Sequence, residues 1–324
     1  MLPFDEDLGA AAYISASASS AVDPELVKVR DQILSLDPFG HRFARTLRET
    51  IDQLLNGEVT GRYDWKTLFK TEKTHAGTLV EINLQREFGF GDGVEMDYRI
   101  AGVDVDCKFS QTFGSWMIPP EALGHLCLVV WADDYQTLWS AGLVRILPEL
   151  LNEGNNRDRK ITISARNRQR IHWIWHRAPL PENVLLHLPP ETRSAILSLP
   201  SGQRRVNELF RRVQQRRIGR GVVRTVAQQY DYMARIREAK GRARTVLREE
   251  GILVVGHYEK HQEIARTLGV PVPRSGELVS FRVVGAKARH GAAPRVVLDC
   301  REWVLADDND PQEPGPLLPR HTAG

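Results

Sequence analysis

The sequence is poor in cysteine and has no long apolar segment. Only Cys107, Cys127 and Cys300 occur among 324 residues. Such a sparse, odd-numbered set is typical of a protein from a reducing cytoplasm, and its spacing excludes a zinc knuckle. No run of eighteen apolar residues occurs, which excludes a membrane-spanning helix. The start is acidic at residues 5–7 and lacks the basic residues of a secretory signal, so we expect a cytoplasmic protein without a membrane partner.

The net charge of +3 hides a difference between the two halves of the chain. Residues 1–170 contain 19 Lys and Arg against 25 Asp and Glu, whereas residues 171–324 contain 25 basic and 16 acidic residues. The chain is long enough for two domains. An acidic half beside a basic half predicts that one domain performs chemistry and the other holds a polyanion.

The segment from Asp97 to Lys108 predicts a β-hairpin with one charged face. Its strands meet at a tight turn, Ala101-Gly102, and the second strand alternates apolar residues with Asp104, Asp106 and Lys108. Because side chains two residues apart share a face, Asp106 and Lys108 lie together, and Asp97 can reach them across the hairpin. Such a group binds a hard cation with a water beside it, which suits metal-assisted hydrolysis of a phosphodiester.

The same alternation also fits an ordinary surface hairpin, because a D-x-K triplet is common by chance. Three features favour a nuclease. The turn is short enough to hold Asp97 near Asp106, and a helix predicted at residues 74–88 carries Glu81. The carboxylates also lack a run of basic neighbours, so they would repel one another unless a cation lay between them.

The order of predicted elements divides the chain into two structured domains. Helices are predicted at residues 25–36, 42–55, 64–69 and 74–88, and strands at 126–132 and 137–146 follow the hairpin. This order predicts a mixed sheet of four or five strands flanked by helices. The divisions are a flexible tail at 1–22, a catalytic domain at 23–176, a linker at 177–203, a DNA-binding domain at 204–306 and a disordered tail at 307–324.

Residues 204–249 are strongly basic. They contain 13 Arg and one Lys against four acidic residues, with an apolar stripe at helical spacing. A solvated helix surface is the ordinary interpretation, but the excess is too large for salt bridges between neighbouring turns, which favours phosphate binding. Residues 230–239 and 242–249 have helix–turn–helix spacing around a Lys240-Gly241 turn, and apolar strands at 252–255 and 278–284 would form a wing.

Several motifs resemble the NaeI type II restriction endonuclease family, from about residue 23 to about residue 305. They are KTEKTH at 70–75, GTLVEINL at 77–84, FGDG at 90–93, DCKF at 106–109, VNELFRRV at 206–213, TVAQQ at 225–229 and VPVPR at 270–274. The resemblance implies an α/β (α+β) fold: a PD-(D/E)xK core around a central mixed sheet. It also implies a second, mainly α, winged helix–turn–helix domain like that of catabolite activator proteins. Met96 stands where a proline often precedes the first aspartate.

The resemblance further implies a homodimer that needs Mg²⁺ and cuts double-stranded DNA at the palindrome GCCGGC. The products would have blunt ends and 5′-phosphates, and a second copy of the site, bound by the C-terminal domain as effector, would stimulate cleavage. The implied catalytic residues are Glu81, Asp97, Asp106 and Lys108. Asp97, Asp106 and the backbone carbonyl of Cys107 would hold Mg²⁺, with Glu81 holding a metal-bound water or Lys108. Because two carboxylates raise the pKa of a neighbouring lysine, we expect Lys108 to orient water rather than to deprotonate it.

Residues that contact DNA are predicted in both domains. Lys70 and Lys73 are candidates for phosphates, and Ser110 and Gln111 follow the catalytic strand and could enter a groove. The candidate phosphate contacts of the second domain are Arg211, Arg212, Arg216, Arg217, Arg220 and Arg224. Arg242 and Arg244, at the start of the predicted recognition helix, are candidates for reading bases. A palindromic target favours a two-fold symmetric protein.

Two other functions remain open on the sequence alone. One is a DNA-binding regulator whose nuclease core no longer cuts, against which the intact Asp97, Asp106 and Lys108 count. The other is a repair or recombination nuclease that recognises the structure of DNA rather than its sequence.

Overall fold

The computed structural model describes residues 23–154 and 159–319. They form two compact units. The first consists of the described residues through Leu54 together with Trp65–Pro181, and the second consists of Leu55–Asp64 together with the residues from Glu182 onward. The tail predicted at residues 1–22 lies outside the described residues. No helix of the described part is long and apolar enough to cross a membrane.

In the part of the chain that the structure describes, four α-helices precede the first sheet. They are α1 (Pro24–Leu36), α2 (His41–Leu55), α3 (Gly57–Thr60) and α4 (Lys70–Phe88). Helix α4 begins four residues before its predicted start, because the Glu72 carboxylate accepts the Phe69 N–H at 2.7 Å and satisfies a free donor at the helix end. The helix predicted at residues 64–69 is only a 3₁₀ turn, Trp65–Thr67.

A six-stranded mixed sheet forms the centre of the first unit. Its strands, adjacent in chain order, are β1 (Gly91–Asp92), β2 (Tyr98–Ile100), β3 (Val103–Ser110), β4 (Leu126–Asp133), β5 (Leu138–Arg145) and β6 (His172–Pro179). Only β3 and β4 run parallel. The mixed α/β architecture is confirmed, with more strands than predicted. Strand β4 is buried on both faces from Leu126 to Ala132, so the sheet is covered on both sides.

The segment predicted to be a linker, residues 177–203, is structured instead. It contains the end of β6 and two helices, α5 (Val184–His187) and α6 (Pro190–Leu197). Leu185 and Ile196 are fully buried in the core of the second unit. The proline content misleads here, because Pro190 is the first residue of α6, where a proline costs no hydrogen bond.

The second unit combines short helices with an antiparallel sheet. Its further helices are α7 (Gly202–Arg212), α8 (Arg220–Ala227), α9 (Ala243–Arg248) and α10 (Glu259–Leu268). Its strands are β7 (Ile218–Gly219), β8 (Ile252–Gly256), β9 (Glu277–Gly285), β10 (Val296–Leu298) and β11 (Arg301–Leu305). Strand β9 pairs with β7, β8 and β11, and β10 pairs with β11. Helix α3 packs closely on α8, since a Cβ on Gly57 would overlap the Thr225 hydroxyl.

Two predictions for the second unit are wrong. Residues 230–239 form no α-helix but a 3₁₀ turn, Tyr232–Arg235, so the predicted helix–turn–helix lacks its first helix. Of the tail predicted to be disordered at 307–324, residues 307–319 are ordered, and the remainder lies outside the described residues. Asp310 is buried and pairs with Arg289, and the Gly315 N–H donates to the Arg248 carbonyl at 2.8 Å. The prediction of disorder considered the acidic composition of this segment and overlooked the short apolar stretch at its end.

Candidate active site

The predicted hairpin forms as β2 and β3, and its turn sets the register of the site. Both turn residues have positive φ, 50° at Ala101 and 81° at Gly102, as in the tight turns that match strand twist. Tyr98 then pairs with Val105. This register places Asp97 beside Asp106 on the neighbouring strand.

The ammonium of Lys108 lies among the carboxylates. Its Nζ is 2.6 Å from Asp106 Oδ1 and 3.3 Å from Asp97 Oδ2, and it also donates to the Cys107 carbonyl at 2.9 Å. Asp97 Oδ2 additionally accepts the Cys107 N–H at 2.9 Å. The structure therefore brings the predicted aspartates, lysine and backbone carbonyl to one point.

Helix α4 supplies the fourth predicted residue. Glu81 Oε1 is 4.0 Å from Lys108 Nζ. The Tyr98 hydroxyl donates to the Glu81 carbonyl at 2.8 Å and so ties α4 to β2 at this level. Tyr98 was missed by the sequence analysis, although its position next to Asp97 on a buried strand was a usable signal.

The charged face of β3 is largely covered by the rest of the first unit. Asp106 is only 4% exposed, because α4 covers this face of the strand. Asp104, on the same strand, is half-buried, and its Oδ2 accepts the N–H groups of Val94 and Glu95 at 2.9 and 2.8 Å. Asp104 therefore holds the loop before Asp97 and does not belong to the cluster of carboxylates around Lys108.

Two buried thiols flank the carboxylates. Cys127, on β4, pairs in register with Asp106, and its Sγ lies 3.7 Å from Asp106 Oδ2. Burial, followed by the charge of Asp106, raises the pKa of Cys127 well above its ordinary value, so the thiol stays protonated and can donate. Cys107 and Cys127 are both free, buried thiols, as their positions in apolar strand patterns would lead one to expect. The contact between Cys127 and Asp106 depends on strand order, which local sequence does not show.

Burial and neighbouring charges shift the pKa values of the side chains in this cluster. Burial raises the pKa of Glu81 to about 7, and Asp97 adds to this effect. Burial also raises the pKa of Asp106 to about 6, against the charge and hydrogen bond of Lys108. The pKa of Lys108 is raised because Asp106 and Asp97 outweigh the opposite effect of burial. Lys108 is thus a cation at neutral pH, which fits an orienting role better than that of a base.

The other predicted DNA contacts of the first unit lie on the surface near these elements. Lys70 is exposed at the first turn of α4, and Lys73 Nζ lies 3.3 Å from the Lys66 carbonyl. The Ser110 hydroxyl donates to the Thr112 carbonyl at 2.8 Å, and the Gln111 carbonyl accepts the Trp131 indole N–H at 3.0 Å. The side chain of Ser110 is thus used to shape the loop after β3.

Most of the candidate phosphate contacts of the second unit pair with carboxylates within that unit. Arg211 pairs with Glu250 and Glu208, and Arg212 also pairs with Glu208. Arg216, Arg217 and Arg224 pair with Glu182, Glu277 and Glu58. Arg220 is exposed, without an ion pair to any described residue. Pairs between neighbouring turns involve only Glu208, and the other carboxylate partners come from distant parts of the chain. The excess of arginine within this segment therefore does not by itself indicate phosphate binding.

Arg242 and Arg244 do not stand together on an exposed helix face. Arg242 precedes α9. The Arg244 guanidinium turns inward, where its Nε donates to the Val254 carbonyl at 2.9 Å and burial lowers its pKa. The prediction that Arg244 reads bases is not supported by this orientation.

A basic segment of the first unit, residues 159–170, was also missed. It contains five basic residues and no acidic one. Averaging the charge over residues 1–170 concealed it, and a short charge window would have found it.

The described residues contain no group of three or more His, Cys, Asp or Glu side chains arranged to hold a metal ion. The donor set at Lys108 is nevertheless of the right chemistry. Oxygens of Asp97 and Asp106 converge within 3.3 Å of a single cationic atom, and oxygen ligands are those that Mg²⁺ prefers.

Comparison with known proteins gives two matches over most of the chain. The family described as "Restriction endonuclease NaeI" matches residues 27–314. The chain is also similar to the type II restriction enzyme NaeI of Lentzea aerocolonigenes, with 49% identity over 308 residues. That alignment covers 93% of this chain and 96% of the relative.

Proposed function

The chain belongs to the restriction endonuclease NaeI family and is a type II restriction enzyme acting on double-stranded DNA; from this premise we propose that it cuts the palindrome GCCGGC in an Mg²⁺-dependent reaction. Cleavage at the centre would give blunt ends with 5′-phosphates. A second copy of the site would act as effector. Such an enzyme would act in the cytoplasm, where it meets the DNA that it cuts.

One observation supports the catalytic assignment above all others. Asp97 directly precedes β2, Asp106 and Lys108 lie on β3, and an oxygen of each aspartate lies within 3.3 Å of Lys108 Nζ. A surface hairpin without function would not bury Asp106 to 4% exposure beside a second carboxylate. We therefore assign Asp97, Asp106, Lys108 and Glu81 to the active site.

The residues present fit a divalent cation. Asp97 and Asp106 would hold Mg²⁺ together with the Cys107 carbonyl, which now accepts a hydrogen bond from Lys108. Bound there, the ion would supply Lewis-acid polarisation of the scissile phosphate and lower the pKa of a bound water. Glu81, behind the hairpin, would accept a hydrogen bond from such a water or from Lys108.

The side chains of the site have separate tasks in the hydrolysis. Water attacks phosphorus, the bond to the 3′ oxygen breaks, and the phosphate stays on the 5′ end. Lys108, kept charged by its carboxylates, donates to the attacking water or to a non-bridging oxygen, where negative charge grows. The Cys107 N–H fixes the orientation of Asp97 at 2.9 Å.

The effector role of the second unit is supported by its order of elements. Helix α7, β7, α8, α9, β8 and β9 follow one another, with β9 paired to both β7 and β8. This order is compatible with a winged helix, in which α8 and α9 would be the two helices of the DNA-binding motif. Arg220, exposed at the start of α8, is the best placed of the predicted phosphate contacts.

A homodimer follows from the proposed palindrome. A two-fold target presents each half-site in the same way, so two copies of the chain related by a two-fold axis would cut both strands. Sedimentation equilibrium of the protein with and without DNA measures this state directly.

Digestion of a plasmid carrying two GCCGGC sites tests the proposed function. Cleavage in Mg²⁺ should give blunt fragments ending in the middle of each site, and EDTA should abolish it. Asp106→Asn should reduce the rate at least about 100-fold, because it removes a charge at the reaction centre. Asp104→Asn is the matched control on the same strand. It keeps an oxygen for the Val94 and Glu95 N–H groups and should retain activity.

Other outcomes would change the proposal in defined ways. Fragments that end elsewhere would discard GCCGGC. Equal rates on plasmids with one and two sites, unaffected by an added duplex with the site, would discard the effector. Cutting of any mismatched or branched DNA without regard to sequence would favour a repair nuclease. Binding without cutting would favour a regulator.

A further inference from the structure

The basic segment, residues 159–170, is the strongest concentration of one charge in the first unit outside the active site. Its charged residues are Arg159, Lys160, Arg166, Arg168 and Arg170. All except Arg168 are exposed. Arg166 makes no hydrogen bond or ion pair with the part of the chain that the structure describes. A segment with five positive charges and no negative charge favours an anionic partner.

Backbone and side-chain contacts fix this segment beside the chain that leaves the catalytic strand. Ile161 and Ile118 exchange backbone hydrogen bonds of 2.8 and 2.9 Å. Arg168 Nη2 donates to the Gly114 carbonyl at 3.2 Å, and a Cβ on Gly114 would overlap this guanidinium. Since residues 111–118 continue directly from β3, the segment lies at the end of the strand that carries Lys108.

The segment also lies within electrostatic reach of the carboxylates. Among the charges acting on Glu81, that of Lys160 lowers its pKa, opposing the larger effects of burial and Asp97. Arg170 Nη1 is 3.9 Å from Glu149, with side chains 49% and 59% exposed. Such an exposed pair contributes little, so it leaves the guanidinium available to a stronger anion.

We propose that the basic segment is a phosphate-binding rim of the active site. Lys160, Arg166 and Arg170 contact the sugar-phosphate backbone of the DNA that is cut, next to the scissile phosphate. The inference rests on the proposed function, which it deepens by naming the substrate contacts. These contacts carry no base information and strengthen binding of substrate DNA by charge. Arg168 positions the segment rather than the DNA.

A double variant of the full-length protein, Lys160→Gln with Arg166→Gln, tests the rim. Its matched control is Lys28→Gln with Arg30→Gln on α1, which removes the same charges from the same unit. The substrate is a duplex carrying the sequence that the wild-type protein cuts, and kcat and KM are measured in Mg²⁺ from 50 to 200 mM salt.

We expect KM of the rim variant to rise about tenfold or more. The slope of log(kcat/KM) against log salt should become shallower by about 2, at about 0.9 per lost phosphate contact. The value of kcat should stay within about threefold, because phosphate contacts made equally before and during reaction affect binding.

A charge-conserving variant, Lys160→Arg with Arg166→Lys, guards against a folding defect and should keep the wild-type KM and salt slope. If the neutral variant behaves like the α1 control, the rim is overturned while the nuclease stands. Equal weakness of the neutral and charge-conserving variants would also overturn it, because charge would not be the cause. A wild-type protein that cuts no DNA would instead remove the proposed function, and the rim with it.

Discussion

At the scale of single residues, the cost of burying a carboxylate in the site is offset by the donors around it. Asp106 is nearly inaccessible, yet it faces Lys108 at 2.6 Å and Cys127 at 3.7 Å. A buried carboxylate keeps its place only when each oxygen has a donor. One oxygen of Asp106 is held by the ammonium and the other by the thiol. Cys127 is therefore a positioning residue for the proposed catalytic carboxylate.

We expect Cys127→Ala to reduce kcat about fivefold to tenfold, since the loss of one hydrogen bond costs about 1 kcal/mol. KM should change little, because the thiol does not touch DNA. Cys127→Ser keeps a donor and should restore most of the rate, and Cys300→Ala, at an exposed thiol, is the control. Steady-state cleavage in Mg²⁺ measures both constants. Equal rates for the alanine and serine variants would show that the thiol does not orient Asp106.

A second residue-scale prediction concerns His261, which is buried in the second unit. Its Nδ1 accepts the Gly256 N–H at 3.1 Å, and its Nε2 lies 3.2 Å from the Pro319 carbonyl oxygen, so the neutral ring satisfies both groups. Burial, followed by the charge of Arg244, lowers the pKa of His261 to about 4. The unfolded chain has the ordinary value of about 6.5 and binds the proton first. The free energy of unfolding should therefore fall as pH falls from about 6.5 to about 4, by on the order of 2 kcal/mol.

Thermal unfolding at pH 7 and pH 5 checks this dependence. His261→Gln cannot titrate, so its melting temperature should change less between the two pH values than that of the wild-type protein. An equal change in both proteins would assign the pH dependence to other groups.

At the scale of elements, the β2–β3 turn determines the geometry of the site. Ala101 has a left-handed backbone that costs a residue with a Cβ roughly 1 kcal/mol. Ala101→Gly should raise the free energy of unfolding by about that amount, and Gly102→Ala should lower it by a similar amount. Urea denaturation measures both changes. The same sign for the two substitutions would contradict the turn conformation.

Local patterns were sufficient for the hairpin and for the strand at Leu126. The alternation, the turn residues and the apolar run all lie within a few residues of the structure that they specify. Local patterns could not identify the carboxylate partners of the arginines. Arg211 meets Glu250 and Arg216 meets Glu182 only after the chain folds back over 39 and 34 residues. The hairpin pattern predicted that Asp97, Asp106 and Lys108 lie together, and the family resemblance implied their separate roles and that of Glu81. The distances in the structure agree with this grouping.

The inward turn of Arg244 illustrates the same limit. From the sequence, it begins a helix in a basic segment and looks like a residue that reads bases. In the fold, β8 runs behind α9 and offers the Val254 carbonyl to its guanidinium. Only the tertiary arrangement distinguishes the two orientations.

At the scale of the whole molecule, residues 307–319 complete the second unit. The Glu313 carboxylate accepts the Gly285 N–H at 2.6 Å, and the Leu317 N–H donates to Asp299 at 2.8 Å. Truncation after Asp307 should lower the melting temperature of the second unit by several degrees, because it removes these bonds and the pair between Asp310 and Arg289. Differential scanning calorimetry of the full and shortened chains checks this. An unchanged transition would mean that the segment is dispensable.

Residues 55–64 belong to the second unit although they precede the catalytic strands in the chain. During synthesis this short piece leaves the ribosome well before α8, the helix on which it packs, has been made. The second unit therefore cannot finish folding until nearly the whole polypeptide is available. For the same reason, a single genetic crossover near residue 181 would not exchange the second unit of one relative for that of another. Recombination would have to transfer α3 as well.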